Sequence, residues 1–452
     1  MTDVGGTIFS PFRAIRYNTA KWKDLSPLIA PPYDIISEQR QEALYARDER
    51  NFVRIELNRS GPETRYAEAA ATLARWLSED VLMREQAPAL YLLEQEFTLA
   101  GRTWRRRGLF GLVRLPEKGR NYVLSHEGTL AEPKADRLML MRACRAMTSP
   151  VMLMSEDPDG ALMQLMQHVH LRPEATAEDG NGALNRLWVL REPSSIERFR
   201  ATIGGGPLYI ADGHHRFETA LVYRDEMRRL HPGASASAGF NHALALVNSA
   251  QDEGLRIFPT HRLISGLNGN AKAALWNCVE RYFEVESRPS ADLNDIGGVA
   301  WLEASGPGRP VFAAYSGDGR LHLLVGKQEA LPASVSSVVE RLDVSVLHNR
   351  VIDPTLAGTG CALGAGGQIS HDSHVSGPTG RGLRLTYTTD ARQAMAAVDR
   401  GDYDIAFLLR PTRVAEVMAA ARAGERMPGK STYFYPKIPA GLVVSDASEE
   451  PV

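Results

Sequence analysis

Residues 207–230, PLYIADGHHRFETALVYRDEMRRL, change character within three positions. PLYIA is an apolar run of strand length, and FETALVYRDEMRRL has the pattern of a helix. Gly213 lies between them and permits a sharp turn. A strand must therefore pass almost directly into a helix. A helix start leaves backbone N–H groups unpaired and carries a partial positive charge. At this corner the sequence places Asp212, His214, His215 and Arg216. Such donors suit an anion, above all a phosphate or carboxylate. Arg216 can bind phosphate oxygens through two N–H groups at once. Ionised Asp212 only accepts, so it could orient a histidine, hold a magnesium ion or take a proton from a hydroxyl. The plainer alternative is an Asp N-cap with solvated neighbours. Four chemistry-bearing residues within five positions favour the functional reading. Zinc is the weaker metal assignment, because adjacent histidines chelate one ion poorly and no HExxH or cysteine set is present.

Elsewhere the chain alternates irregularly. Ser37 is expected to N-cap a helix in EQRQEALYARDER. NFVRIEL (51–57) alternates like a strand, and YAEAAATLARWLSEDVL is an amphipathic helix with Ala69, Leu73, Trp76 and Leu77 on one face. ALYLLEQEFTL and RRRGLFGLVRL form a strand pair joined through Ala100-Gly101. A helix is expected after Pro133, and others near 271–285, 391–399 and in PTRVAEVMAAARAGE; VSSVVERLDVSVLHNRVI is one helix or two. RLWVL, ALALVN, a pair near 310–326 and DIAFLLR read as strands. There is no clean βαβ repeat and no Gly-rich dinucleotide turn. The expected class is α+β, with mixed sheets and flanking helices. At 452 residues the chain is long for a single core. We expect an N-terminal portion over 1–265, a C-terminal portion over 266–445 and a flexible tail over 446–452, with fraying from about Val443. Residues 355–382, rich in Gly, Ser and His, read as a loop.

The net charge of −2 offers no global basic field, so nucleic acid is not expected as a partner. No run of 18 apolar residues occurs, so no membrane span is expected. Cys144, Cys278 and Cys361 form no CxxC pair and argue against a disulfide framework. Together with the lack of a leader pattern, they make the cytoplasm the expected compartment.

Three further clusters carry chemistry. His126, Glu127, Thr129, Lys134, Asp136 and Arg137 combine cationic donors with carboxylates, although a solvated loop and an Asp136–Arg137 pair would explain them equally well. Lys430, Ser431, Thr432, Tyr433 and Lys437 lie in KSTYFYPK, which has the Lys-Ser of a phosphate loop without its GxxxxGK[ST] frame. His261 and Arg262 form a smaller set in PTHRLI, and Glu218 and Thr219 follow the corner in the helix.

These segments together resemble domain of unknown function 1015, a bacterial and archaeal family of about this length. The resemblance runs nearly end to end. It is carried by PFRAIRY, APPYDIIS, NFVRIEL, RYAEAAATLARWL, YLLEQEFT, SHEGTLAEPKADRL, YIADGHHRFETAL, PTHRLI and MPGKSTYFYPKIPAGLVV. Gly429 and Gly128 stand where the family has larger polar residues, which removes a side-chain donor at each. Locally, DGHHRFETA is similar to the G-x-H-R-x-x-A segment of sulfiredoxin and ParB-type domains. That likeness implies nucleotide phosphates at a helix start and, in some members, phosphorylation of free serine.

The expected function is small-molecule phosphoryl-group chemistry, in the kinase direction on a hydroxyl metabolite such as free serine. Asp212, His214, His215 and Glu127 are the expected catalytic set. Arg216, His126, Thr129, Lys134, Arg137, Lys430, Ser431 and Thr432 are the expected anion ligands. Asp136, Glu218, Thr219, His261, Arg262, Tyr433 and Lys437 are further pocket candidates. The partners are a phosphorylated metabolite or a nucleotide, ATP or ADP with Mg2+, with no haem, flavin or iron–sulfur cluster expected. The alternatives are a phosphatase using the same pocket and a nucleotide-responsive regulator of ParB type.

Overall fold

A computed structural model describes residues 8–129, 131–169, 171–290, 302, 305, 308–331, 336–358 and 383–448. It contains two compact units: Met1–Ser125, Thr129–Arg256 and Phe434–Val452 form the first, and His126–Gly128 with Ile257–Tyr433 the second. The content is mixed α and β, as the irregular alternation implies.

In the first unit, nine strands form a mixed sheet among the described residues. Along it run Val123–Leu124, Leu208–Asp212, Val151–Ser155, His242–Ser249, Arg102–Arg114, Leu90–Leu99, Leu184–Leu190 and Ala175–Glu178, with Phe9–Ser10 added to Arg102–Arg114. His242–Ser249 is buried at every position, in keeping with its nearly unbroken apolar run. The two longest strands are joined as expected. Leu99 pairs with Arg102, and the turn uses Ala100 and Gly101 at φ 54° and 72°. Leu208–Asp212 runs antiparallel to Val151–Ser155, with a register shift between Ile210 and Asp212. Irregularities of this kind re-aim a side chain, and here the re-aimed residue is Asp212.

The helix His214–Leu230 packs on Ala131–Cys144, which packs on Arg65–Ser78. Ala69, Leu73 and Trp76 are buried on the expected face of the last of these. Ser37 caps Glu38–Arg47, its side chain accepting from the Arg40 N–H. The helix expected after Pro133 begins at Ala131, because a proline in the first turn removes no needed N–H.

NFVRIEL is not a strand. Val53–Glu56 is one helical turn with Val53, Ile55 and Glu56 buried. Fully buried Asn51 explains the difference. Its Oδ1 accepts from the Val53 N–H at 3.0 Å, while its Nδ2 donates to the carbonyls of Pro27 and Ile29. A local side-chain bond of this type overrides a period-2 pattern. The tail expectation also changes for its first part. Val443, Val444 and Ala447 are buried, Ser445–Asp446 pairs with Ala146–Met147, and Asp446 accepts from Arg84 at 2.7 Å. Residues 449–452 lie outside the described residues, as does most of the expected 355–382 loop.

The second unit holds a six-stranded antiparallel sheet in the order Phe283–Pro289, Arg320–Gly326, Val311–Tyr315, Ile405–Leu409, His261–Ser265 and Arg384–Thr388. Ala391–Asp399 covers one face, where Ala391, Ala394, Ala397 and Val398 meet Val311, Ala313, Leu321 and Leu408. VSSVVERLDVSVLHNRVI resolves into short helical turns from Val339 onward. Cys278 is disulfide-bonded and Cys144 is free, so the cysteines no longer argue for a reducing compartment. Among the described residues, no helix is long and apolar enough to cross a membrane.

Candidate functional site

The corner forms as its sequence implies. The strand ends at Asp212, Gly213 adopts φ 90°, and the helix begins at His214. Glycine is required twice over. Its backbone lies in the left-handed region, and a Cβ there would stand 2.9 Å from the Arg216 guanidinium. That guanidinium folds back toward the strand, donating to Asp212 Oδ2 at 2.5 Å and to the Pro150 carbonyl. Lys437 Nζ donates to Asp212 Oδ1 at 2.5 Å. One carboxylate thus holds two nearly buried cations, with Arg216 and Lys437 side chains 9% and 11% exposed. Burial raises the Asp212 pKa, but Lys437 and Arg216, with a contribution from His214, hold it well below the usual carboxylate range.

Two central strands position Lys437. Gln95 and Arg106 are cross-strand partners. Gln95 Nε2 donates to the Lys437 carbonyl at 3.1 Å, and Arg106 donates to the carbonyls of Pro436 and Tyr435 at 2.6 and 3.3 Å. Burial lowers the Arg106 pKa to about 10. The segment bearing Lys437 is therefore fastened to the sheet through its backbone.

Arg137 organises the neighbouring wall. It donates to Asp136 Oδ2 through Nε at 2.8 Å and Nη2 at 2.5 Å, and to the Glu56 carbonyl at 2.9 Å. Its guanidinium lies 4.0 Å from the Tyr33 ring centre. Burial opposes the charge on Arg137, but Glu56 and Asp136 outweigh it and raise the pKa. Burial likewise pushes Tyr33 up to about 12. Arg65 and Tyr66 donate to Asp136 Oδ1. Glu56 accepts from Ser149 Oγ at 2.8 Å. A small cleft is lined by Glu56, Arg137, Ser149, Arg216 and Thr219, among others. At the helix edge, Lys134 Nζ and Thr129 Oγ1 both meet Glu218 Oε2, the former at 3.0 Å, and Thr219 Oγ1 donates to the Lys134 carbonyl at 3.5 Å.

The first unit therefore joins Asp212, Arg216 and Lys437 in one set and Thr129, Lys134, Glu218 and Thr219 in another. Asp136–Arg137 shares the cleft region with Arg216. His214 is buried and His215 half-buried at the helix start.

The remaining sequence-derived residues belong to the second unit. The backbone carbonyls of His126 and Glu127 accept from Met427 N–H at 2.8 Å and from Arg426 Nη1 at 3.0 Å. Arg262 is 1% exposed and donates to the carbonyls of Thr260 and Lys430; burial lowers its pKa to about 10. His261 Nδ1 accepts from the Leu409 N–H at 3.2 Å, and burial lowers its pKa to about 4. Both act as interior residues of their sheet. Ser431 Oγ donates to the Pro428 carbonyl at 2.5 Å, its carbonyl accepts from Thr412, Lys430 is exposed, and Thr432 and Tyr433 are half-buried.

Over residues 9–345 the chain matches the family described as protein of unknown function (DUF1015). The chain belongs to this family. No curated protein matches it. Among solved structures it is similar to a conserved hypothetical protein from Pyrococcus furiosus, at 15% identity over 75% of this chain and 94% of that one, with a TM-score of 0.35. It is also similar to a free serine kinase in complex with AMP, at 13% identity, 72% and 86% coverage and a TM-score of 0.35. A third is SbnI with C-terminal truncation from Staphylococcus aureus, at 13% identity, 75% and 88% coverage and a TM-score of 0.32. Likeness at these scores carries no functional argument.

In this DUF1015 protein, sequence reasoning missed Tyr33, Glu56 and Ser149. Tyr33 lies in APPYDIIS, and Glu56 lies in NFVRIEL, the segment expected to be a strand. The available signal was a glutamate set between Ile55 and Leu57, since a carboxylate on a buried segment needs a partner.

Proposed function

We propose that the cleft of the first unit binds phosphate-bearing small molecules and that the protein transfers a phosphoryl group from ATP to a hydroxyl metabolite such as free serine. One observation supports this above the others. Arg137 and Arg216 are 7% and 8% exposed, and both line one cleft beside the hydroxyls of Ser149 and Thr219. Carboxylates hold both guanidiniums in place before any ligand arrives. Such preorganised cations suit the charge that spreads over a transferring phosphoryl group. Arg216 commits one N–H to Asp212 and one to Pro150 among the described residues, leaving the rest of its fork for phosphate oxygens. Lys134 extends the positive edge. His214 and His215, at the helix start, belong to the same reading, as does Mg2+ with ATP or ADP. The ParB-like and sulfiredoxin-like character of the DGHHR corner is part of this proposal.

The test is a thermal-shift series with ATP, ADP, CTP, serine and phosphoserine, with and without magnesium, followed by product analysis. A ligand at a hundred times its Kd stabilises by about 2.7 kcal/mol. The expected result is a rise in Tm with at least one phosphate-bearing ligand, abolished in Arg216→Ala and Arg137→Ala. Phosphoserine formed from ATP and serine identifies the kinase direction, whereas phosphate released from phosphoserine without a nucleotide identifies a phosphatase. A well-folded Arg216→Ala protein with the wild-type response refutes the ligand assignment.

A further inference from the structure

The carboxylates around the cleft are not equivalent. Both oxygens of Asp212 are engaged by cations. Both oxygens of Asp136 receive donors, from Arg65 and Tyr66 on one side and Arg137 on the other. Glu218 receives Lys134 and Thr129, and its side chain is 35% exposed. Glu56 differs from all three. The residue is 1% exposed, its Oε1 accepts from Ser149 and lies 3.5 Å from Arg137 Nη1, and its Oε2 has no hydrogen-bond partner among the described residues.

A buried carboxylate oxygen without a donor is unfavourable, because desolvation is not compensated. A catalytic role, an ordered water or an ion is the usual reason a chain keeps such a group. Glu56 also stands at a junction, since it lines both the cleft described above and a second one bordered by Arg65, Tyr66 and Asp136. Ser149 and Arg137 fix Oε1 and so fix where Oε2 points. Arg137 places a guanidinium within the same assembly, where a phosphoryl oxygen would need one. The helical turn Val53–Glu56 is short, but Asn51 just ahead of it accepts from the Val53 N–H and ties its start to Pro27 and Ile29.

We propose that Glu56 is the general base for the acceptor hydroxyl, an assignment that rests on the phosphoryl-transfer reading above. The acceptor O–H donates to Oε2. As transfer proceeds, that O–H bond breaks and its proton passes to Glu56. The freed oxygen forms an O–P bond to the terminal phosphoryl group of a nucleoside triphosphate. The bridging P–O bond breaks, and its electron pair leaves with the nucleoside diphosphate. Asp212 is thereby a positioning residue that holds Arg216 and Lys437, while Glu56 touches the reacting atom.

The experiment compares full-length wild type, Glu56→Gln and Glu56→Asp, using ATP and serine as substrates and ADP with phosphoserine as thermal-shift probes. Glutamine preserves shape and cannot take a proton. In Glu56→Gln, kcat should fall about 100-fold or more, in line with the contribution of a general base, while KM for serine changes by less than about threefold. The ADP-induced shift should persist, and Glu56→Asp should recover part of kcat. Turnover of Glu56→Gln within about threefold of wild type overturns the assignment and leaves phosphoryl transfer standing. Loss of the ADP-induced shift along with kcat assigns Glu56 a structural role and also overturns it. A wild-type protein that binds these probes but transfers no phosphate refutes the phosphoryl-transfer reading and the base with it.

Discussion

Replacing Asp212 with asparagine tests the arrangement at its most connected point. The substitution keeps the shape of the side chain and removes the charge that holds Arg216 and Lys437. Their side chains are 9% and 11% exposed, and Asp212's is 21% exposed. Removing one partner of a fully buried ion pair costs about 3–5 kcal/mol, because the remaining charge is stranded. Partial exposure of Asp212 reduces this, and the amide oxygen of asparagine still accepts one bond, so about 2–4 kcal/mol is expected. For a unit of this size that lowers Tm by roughly 5–15 °C, read by differential scanning calorimetry. The pH dependence has a definite sign. The folded pKa of Asp212 is depressed, so its contribution is complete above the unfolded value of about 3.9 and is lost only as pH falls further toward the folded value. The wild-type advantage over Asp212→Asn should therefore be constant from pH 5 to 8 and shrink below about pH 4. Combining Asp212→Asn with Lys437→Met should destabilise by less than the sum of the two, since the second change removes a stranded cation. A Tm difference below about 2 °C, or one that grows below pH 4, would refute the reasoning.

Two further outcomes are expected from local geometry. Gly213→Ala forces a left-handed backbone on alanine and drives a methyl group into the Arg216 guanidinium, so it should cost about 1–3 kcal/mol and abolish any phosphate-induced shift; a variant that melts with the wild type and still responds to ligand contradicts this. His242 is buried, and burial lowers its pKa to about 4. The unfolded chain takes up that proton near pH 6.5, so stability should fall as pH drops from about 6.5 to 4. His242→Gln should flatten this slope in urea midpoints measured at pH 7.5 and 5, and an unchanged slope removes His242 as its source.

Local features were legible where the chemistry is local. A glycine between an apolar run and a helical pattern marks the Asp212 corner, Ala100-Gly101 marks the hairpin, and Ser37 marks a helix start. The unread parts depend on distant partners. Glu56 appeared to lie in a strand because Asn51, just ahead of the helical turn, gains its role only by also bonding Pro27 and Ile29. Ser149 is 93 residues from Glu56, and Lys437 is 225 residues from Asp212. No period or spacing encodes pairings of that length. Lys437 looked peripheral in the sequence and is one of two cations on the central carboxylate. Arg262 looked like a pocket residue because burial is not visible in a tetrapeptide.

The charge balance of the cleft bears on how it could select a ligand. Arg216, Lys437, Arg137, Lys134 and Arg65 face Asp212, Asp136, Glu56 and Glu218, five cations against four carboxylates. A set so nearly balanced exerts little long-range attraction, and a chain of net charge −2 adds none. Selectivity must then come from the donors and acceptors left over after internal pairing. Arg216 retains N–H groups, and Glu56 retains an oxygen. A ligand that joins an anionic group to a hydrogen-bond donor satisfies both at once, whereas a bare anion leaves the Glu56 oxygen uncompensated. This asymmetry favours a phosphate donor and a hydroxyl acceptor bound together over either alone, and it follows from the pairing pattern rather than from net charge.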